Sequence, residues 1–306
     1  MNPPNVSPSQ AQLDGVLASG PMGCRSRSAS LNRAIRYLQA VAFVGVWMAS
    51  GWIMHLDANS YLLIGVPLVV LFQLGVRKEP LVRLWVRDAS AFRLNGLGLV
   101  LALALAAYPV RELVREYSTI PWSVRLWLVC AIGGAFGAAF SLSRFTRTTG
   151  KALLFCLGTA GVFGCFLMVE SALLSKHTLS LSASGLLFCI RQFLGYFPVS
   201  FVLEEVAFRG AIDAHVYHPG ENRPWWSATL VSALWGLWHL PIVRIPGRLP
   251  LGLTPVAAGI IVAVALPLAL IPTGIFLSFG WRRSGNLAVP AVVHALIDAV
   301  RNTVMM

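Results

Sequence analysis

Long apolar runs fix the solvent in which this chain folds. Stretches of roughly 15–25 apolar residues recur along it, the segment 256–280 among them, and a helix of that length crosses the ~30 Å hydrocarbon core of a bilayer. Lipid offers the backbone no hydrogen-bond partner, so such segments are predicted to be helical. A membrane β-barrel is excluded, because its alternating segments of ~10 residues are absent. Composition points the same way. Of 306 residues, 57% are hydrophobic and only 12% charged, against about 25% charged in a soluble domain, and mean hydropathy is +0.71. The predicted fold is all-α, a polytopic transmembrane helical bundle of about eight to nine spans around an intramembrane polar cavity.

Candidate spans run near 37–54, 61–76, 95–110, 123–142, 152–174, 187–216, 225–242, 256–280 and 286–304. The second and third are short for the hydrocarbon core, which suggests tilted or partly interfacial helices. Residues 1–30 are rich in Ser, Pro, Gly, Asn and Gln and cannot bury enough apolar surface to order themselves. A disordered cytoplasmic tail is therefore expected over 1–35, N-terminal transmembrane helices over 36–184, and a C-terminal transmembrane core over 185–306. No cleavable signal peptide is expected, since the first apolar run starts near Tyr37, after a long polar tail.

The net charge is +12, yet no basic stripe interleaved with aromatics appears, so nucleic acid is not an expected partner. The basic residues instead orient the chain and meet anionic headgroups. With the N-terminus inside, 16 of the 24 Lys and Arg residues fall in inner segments and 7 in outer ones, which favours a cytoplasmic N-terminus. Five cysteines (Cys24, Cys130, Cys156, Cys165, Cys189) lie mostly inside apolar runs without CxxC spacing, and read as small buried hydrophobes. Glu170 and Arg191 are expected to pair or snorkel near the outer ends of their spans, and Trp225, Trp226 and Trp281 to act as interfacial anchors. His55, His177, His215 and His218 fall in loops or at helix ends and are expected to be solvated.

Against this background three patterns stand out: Glu204-Glu205-Val206-Ala207-Phe208-Arg209, Trp235-Gly236-Leu237-Trp238-His239 and His294-Ala295-Leu296-Ile297-Asp298. A charged side chain at a helix centre in lipid costs roughly 2.5–3.5 kcal/mol on the mildest scale, so such residues face one another or a wet cavity and mark function. Counted at ~1.5 Å per residue from the inner helix ends, Glu204 lies ~18 Å deep, His239 ~21 Å, His294 ~14 Å and Asp298 ~20 Å. The three patterns therefore reach one depth. Glu205 and Arg209 are spaced i, i+4 with the acid first, the favourable order for an ion pair. Glu204 is rotated about 100° away from Glu205 and is free to face the cavity.

In these residues the chain resembles the intramembrane (CPBP) proteases that include the CAAX prenyl endopeptidases and bacterial bacteriocin-processing or immunity relatives. The family's E-E-x-x-x-R stands as Glu204, Glu205 and Arg209; its F-x-x-x-H as Trp235 and His239; its H-x-x-x-N as His294 and Asp298. The segment Gly280–Pro290 also looks like the family's approach to its last histidine. The resemblance covers roughly 190–304, and the first five spans carry none of it.

The resemblance implies a peptidase of the bacterial inner membrane acting on a membrane-embedded peptide or protein. Glu204 would activate a water, His239 would help hold it, and His294 with residue 298 would stabilise the oxyanion. Glu205, Arg209 and Trp235 would support the site. Asp298 departs from the pattern, because an amide donates to an oxyanion whereas an ionised carboxylate only accepts. It is expected to orient His294 through the other ring nitrogen, the alternatives being a protonated donor or a metal ligand. No cofactor is expected. Zinc held by Glu204, His239, His294 and Asp298 is the alternative, although no H-E-x-x-H is present. A non-catalytic immunity or scaffold protein is the other rival. A proton relay or transporter is disfavoured, since ionisable groups do not recur at several depths.

Overall fold

The structure is a computed structural model that describes residues 22–174, 182–221, 223–243 and 254–304. In chain order the helices are α1 (Met22–Ile53), α2 (Ala58–Leu71), α3 (Gly96–Glu116), α4 (Trp122–Leu142) and α5 (Arg147–Cys156). They continue with α6 (Val162–Leu174), α7 (Ala183–Ser200), α8 (Pro224–Trp238), α9 (Pro255–Ser284) and α10 (Ala288–Val304). Three stretches of wider π-helix extend this set: Phe72–Val76 after α2, Leu157–Gly161 between α5 and α6, and Phe201–Asp213 after α7.

Short polar residues set the helix starts, because the first amides of a helix lack an internal acceptor. Asp57 accepts from the amides of Asn59 and Ser60 to open α2, Asn95 from Gly98 to open α3, and Thr146 from Thr149 to open α5. Thr254 caps α9 in the same way. α8 has no side-chain cap and begins instead with Pro224, whose missing amide proton is no loss in a first turn.

All nine expected apolar segments are helical, but fewer have the length and composition of a span. Five qualify: Ala58–Val76, Gly96–Glu116, Trp122–Leu142, Arg147–Val169 and Gly259–Ser284. A sixth arises if α7 and the π-helical stretch after it, bent by 53°, count as one. The expected eight to nine counted α8 and α10 as spans. At 15 and 17 residues, these two fall short of the ~20 that cross the hydrocarbon. α10 is largely buried, packing against α7 and against α5 and α6, so protein rather than lipid is its main surrounding. α1 begins at Met22, inside the segment expected as tail, and residues 1–21 lie outside the described residues.

α3 packs on α4, α8 on α9 and α10 on α7. The α8–α9 contact is backbone-close: a Cβ on Gly236 would lie 2.5 Å from the Cα of Pro267. At Gly285 the chain turns from α9 towards α10 with φ +61°, a conformation that suits glycine because it lacks Cβ. The turn is fixed from outside, since Arg87 donates its amide to the Gly285 carbonyl (2.9 Å) and Leu287 to that of Trp85 (2.9 Å). Asn286 adds a side-chain bond to the Ser141 carbonyl (2.8 Å).

Two expectations are corrected here. Trp281 is not an interfacial anchor but a core residue at 1% exposure, with the Arg87 guanidinium over its ring. His215 is half-buried, bonded to Gln39 (2.9 Å) and edge-on to Phe72, because α1 and α2 fold over that helix end. Trp225 and Trp226 are about half exposed and stacked on each other. His177 and the side chains of Cys24 and Glu170 lie outside the described residues, and with Glu170 its expected pairing with Arg191.

Candidate active site

The three patterns lie on three different elements. The Glu204 pattern occupies the π-helical stretch that follows the bend after α7, next to Pro198. Proline removes a ladder hydrogen bond, and π-turns recur at sharp bends and functional sites. Trp235 lies in the last turn of α8, and His239 is its C-terminal cap. His294 and Asp298 lie on successive turns of α10.

These elements converge on one carboxylate. The Trp235 indole N–H donates to Glu204 Oε2 at 3.2 Å. His239 Nε2 lies 3.9 Å and His294 Nε2 3.7 Å from the same oxygen. The Glu204 side chain keeps 16% of its exposure, whereas that of Glu205 has none. The neighbouring acids therefore have different surroundings, one partly exposed and one enclosed.

The ring tautomers follow from what each nitrogen touches. His239 Nδ1–H donates to the Trp235 carbonyl at 2.8 Å, since a carbonyl only accepts. That leaves Nε2 facing Glu204. His294 Nδ1–H donates to Glu205 Oε1 at 2.8 Å, again leaving Nε2 towards Glu204. The acid at hydrogen-bond distance from His294 is thus Glu205 and not Asp298, whose Oδ2 stands 3.7 Å from Nε2. The expected orientation of His294 by Asp298 gives way for this reason: the nitrogen that would be oriented from behind is already held by a fully buried carboxylate.

Glu205 Oε1 also lies 3.4 Å from Arg209 Nη1. This is an ion pair at contact rather than a hydrogen bond, because Arg209 Nη1 and Nε and Glu205 Oε2 lack hydrogen-bond partners among the described residues. Arg209 Nη2 reaches the Gly274 carbonyl at 3.4 Å, and the guanidinium sits over the Trp235 ring. Trp235 therefore touches both charges. The sequence marked it as aromatic support; its N–H to Glu204 is a contact that phenylalanine cannot make.

The residues that sequence reasoning did not find lie one shell outward. Arg301, three residues beyond Asp298, pairs with its Oδ1 at 3.1 Å, a spacing legible in hindsight. Tyr61 of α2 donates its hydroxyl to the Trp238 carbonyl at 2.8 Å, and Trp47 of α1 donates to the Tyr61 carbonyl at 2.8 Å. No sequence signal joins residues so far apart. Among the described residues no group of three His, Cys, Asp or Glu side chains is disposed to hold a metal ion, and both imidazole Nε2 atoms face a single carboxylate oxygen.

Residues 186–300 match the family model described as type II CAAX prenyl endopeptidase, Rce1-like. No curated protein and no solved structure matches the chain. The matched segment runs from α7 to the last turns of α10 and contains all three patterns. Over that segment this multi-pass membrane protein is similar to the CAAX-protease (CPBP) family, a family of proteases.

Proposed function

We propose that this protein is an intramembrane endopeptidase of the glutamic type, in which Glu204 activates a water. The observation that carries the reading is the set of contacts around Glu204 Oε2, with an indole donor at 3.2 Å and two imidazole Nε2 atoms at 3.7 and 3.9 Å. The two imidazole atoms stand too far from that oxygen to bond it directly, a separation that a bridging water suits.

The water lies between Glu204 and His239. Glu204 takes its proton as the oxygen attacks the scissile carbonyl, and returns that proton to the leaving amine. His294, protonated on Nε2 and braced by Glu205 from behind, donates to the oxyanion. Preorganised donors of this kind supply the largest part of many rate enhancements. Asp298 cannot donate to the oxyanion when ionised. Joined to Arg301, it offers an acceptor for the Nε2 proton in the resting site.

The substrate is a membrane-associated peptide or protein with a prenylated C-terminus, a leader or a C-terminal sorting tag. The chain lies in a bacterial inner membrane with its N-terminus in the cytoplasm, as the distribution of Lys and Arg favours. The test compares protein termini in the membrane proteomes of a deletion strain complemented with wild type or with Glu204→Gln. Termini that depend on the wild type are expected to vanish with Glu204→Gln, a loss of at least about 10²-fold, while the variant accumulates normally. Cleavage within a few-fold of wild type would overturn the general base. Silencing of the wild type by a membrane-permeant chelator, with rescue by zinc, would overturn the metal-free mechanism.

A further inference from the structure

Away from the catalytic residues, the first turns of α8 and the N-terminal half of α1 enclose a cavity of about 680 Å³. Arg33 and Tyr37 contribute from α1, and Glu221, Arg223, Trp226 and Leu230 from α8 and the segment before it. An adjoining cavity of about 340 Å³ shares Arg33 and Glu221 and adds Arg36 and His218. None of Glu204, His239, His294 or Asp298 lines either one.

The polar end of this cleft carries an unbalanced positive charge. Glu221 is its one acid, and both carboxylate oxygens are engaged: Oε1 accepts from the Tyr37 hydroxyl (3.0 Å) and Oε2 from the Ser227 hydroxyl (2.8 Å). Ser227 in turn touches Arg282, which is held in a two-bond pair with the buried Asp213 (2.6 and 2.9 Å). That network uses up its own charges. Arg33 and Arg223 are in no ion pair among the described residues. Two guanidiniums with no ion-pair partner among the described residues face one cavity, and a guanidinium fork matches phosphate oxygens.

The other end is apolar. Trp226, Leu230 and Ala233 share the cavity wall along α8, and the seven steps from Trp226 to Ala233 rise ~10 Å along a helix. Trp226, half exposed and stacked on Trp225, has the character of an interfacial residue. A soluble anion would satisfy the arginines and leave this wall bare. A cation or a neutral amphiphile would leave the arginines unmatched.

We propose that this cleft is a binding site for an anionic glycerophospholipid, with its phosphate on Arg33 and Arg223 and an acyl chain along Trp226, Leu230 and Ala233. The bound lipid bridges α1 to the start of α8, and so couples the N-terminal helix to the helix that ends at His239. The site is independent of the proteolytic reading.

Full-length protein, delipidated in neutral detergent, is titrated with dioleoylphosphatidylglycerol, dioleoylphosphatidylcholine or inorganic phosphate while its Tm is followed. The phosphatidylglycerol titration is expected to raise Tm saturably, and the other two to leave it in place. The double variant R33Q/R223Q is expected to weaken the apparent affinity roughly tenfold to thirtyfold, at about tenfold or less per cation. Ala233→Trp, which fills the apolar end and removes no charge, is expected to abolish the response. The charge-matched control R147Q/K151Q on α5 is expected to respond as wild type does. An equal response to phosphatidylcholine or to phosphate alone would overturn the proposal. So would a control that weakens as much as R33Q/R223Q, or an unaltered response in Ala233→Trp.

Discussion

The helices before residue 183 and the core after it handle polarity in opposite ways. In the first region the buried polar side chains among the described residues are Gln73, Ser141 and Thr149, all uncharged. In the second they include Glu205, Arg209, Asp213, Arg282, His294 and Asp298. The N-terminal helices turn large apolar side chains outward, such as Val100, Leu103 and Val114 of α3, as lipid-facing surfaces do. Burying an ion is expensive in either setting, and a pair stabilises only if its geometry is good and its remaining atoms are satisfied. Buried charge concentrated in one region is therefore weak evidence of added stability.

The division is nonetheless incomplete. Trp47 and Tyr61, from outside the segment that matches the family, are fully buried against Trp238. The Tyr61 hydroxyl satisfies a carbonyl at the C-terminal end of α8, where helices leave carbonyls without partners. The N-terminal region holds the helix end from which His239 projects.

The strongest way to break the comparison is to remove one charge of the buried pair. Glu205→Ala or Arg209→Ala each leaves an uncompensated buried ion, a loss of about 3–5 kcal/mol, and membrane yield is expected to fall sharply. Neutralising both is expected to recover yield but not activity, because His294 loses its brace. Equal yields from the two single variants and the double one would show that the residues do not act as a pair.

Position 298 comes next. Asp298→Asn leaves Arg301 without its carboxylate and changes what faces His294 Nε2. Activity is expected to fall on the order of 10-fold to 100-fold, as for other partners of catalytic imidazoles. Adding Arg301→Gln to that variant is expected to recover part of the loss. An Asn variant as active as the parent would mean that residue 298 donates.

A smaller effect is expected from Trp235→Phe, which keeps the aromatic packing and deletes the N–H on Glu204. Losing one hydrogen bond to a charged acceptor corresponds to about 1.5–3 kcal/mol, read as a drop of about tenfold or more in kcat/KM with yield maintained. Unchanged kinetics would show that the indole N–H plays no part in holding Glu204.

The mildest variant tests the N-terminal region. Tyr61→Phe removes only the hydroxyl on the Trp238 carbonyl, and is expected to lower stability by about 1–3 kcal/mol with a modest fall in kcat. A Tm and a kcat equal to wild type would confine the N-terminal helices to lipid contact.

Much of this was legible along the chain. Apolar length located the long helical segments among the described residues, and the three patterns do meet around one carboxylate. Equal depth fixes position along the membrane normal but not which side chain turns to which. The i, i+4 spacing paired Glu205 with Arg209, yet nothing local could show that the same carboxylate also holds His294, 89 residues away.

The sequence by itself determined the solvent, the helices, and which residues are too expensive to bury without a purpose, because those depend on composition and short-range spacing. Tertiary structure decided the rest. It closed the chain around Glu205 and left Glu204 open, ended α8 at His239 under the hydroxyl of Tyr61, and took Trp281 inside. Those outcomes depend on contacts between segments distant in sequence, and on a π-helical bend that ideal helix geometry does not contain. Depth was additive along the chain, whereas orientation was a property of the packed whole.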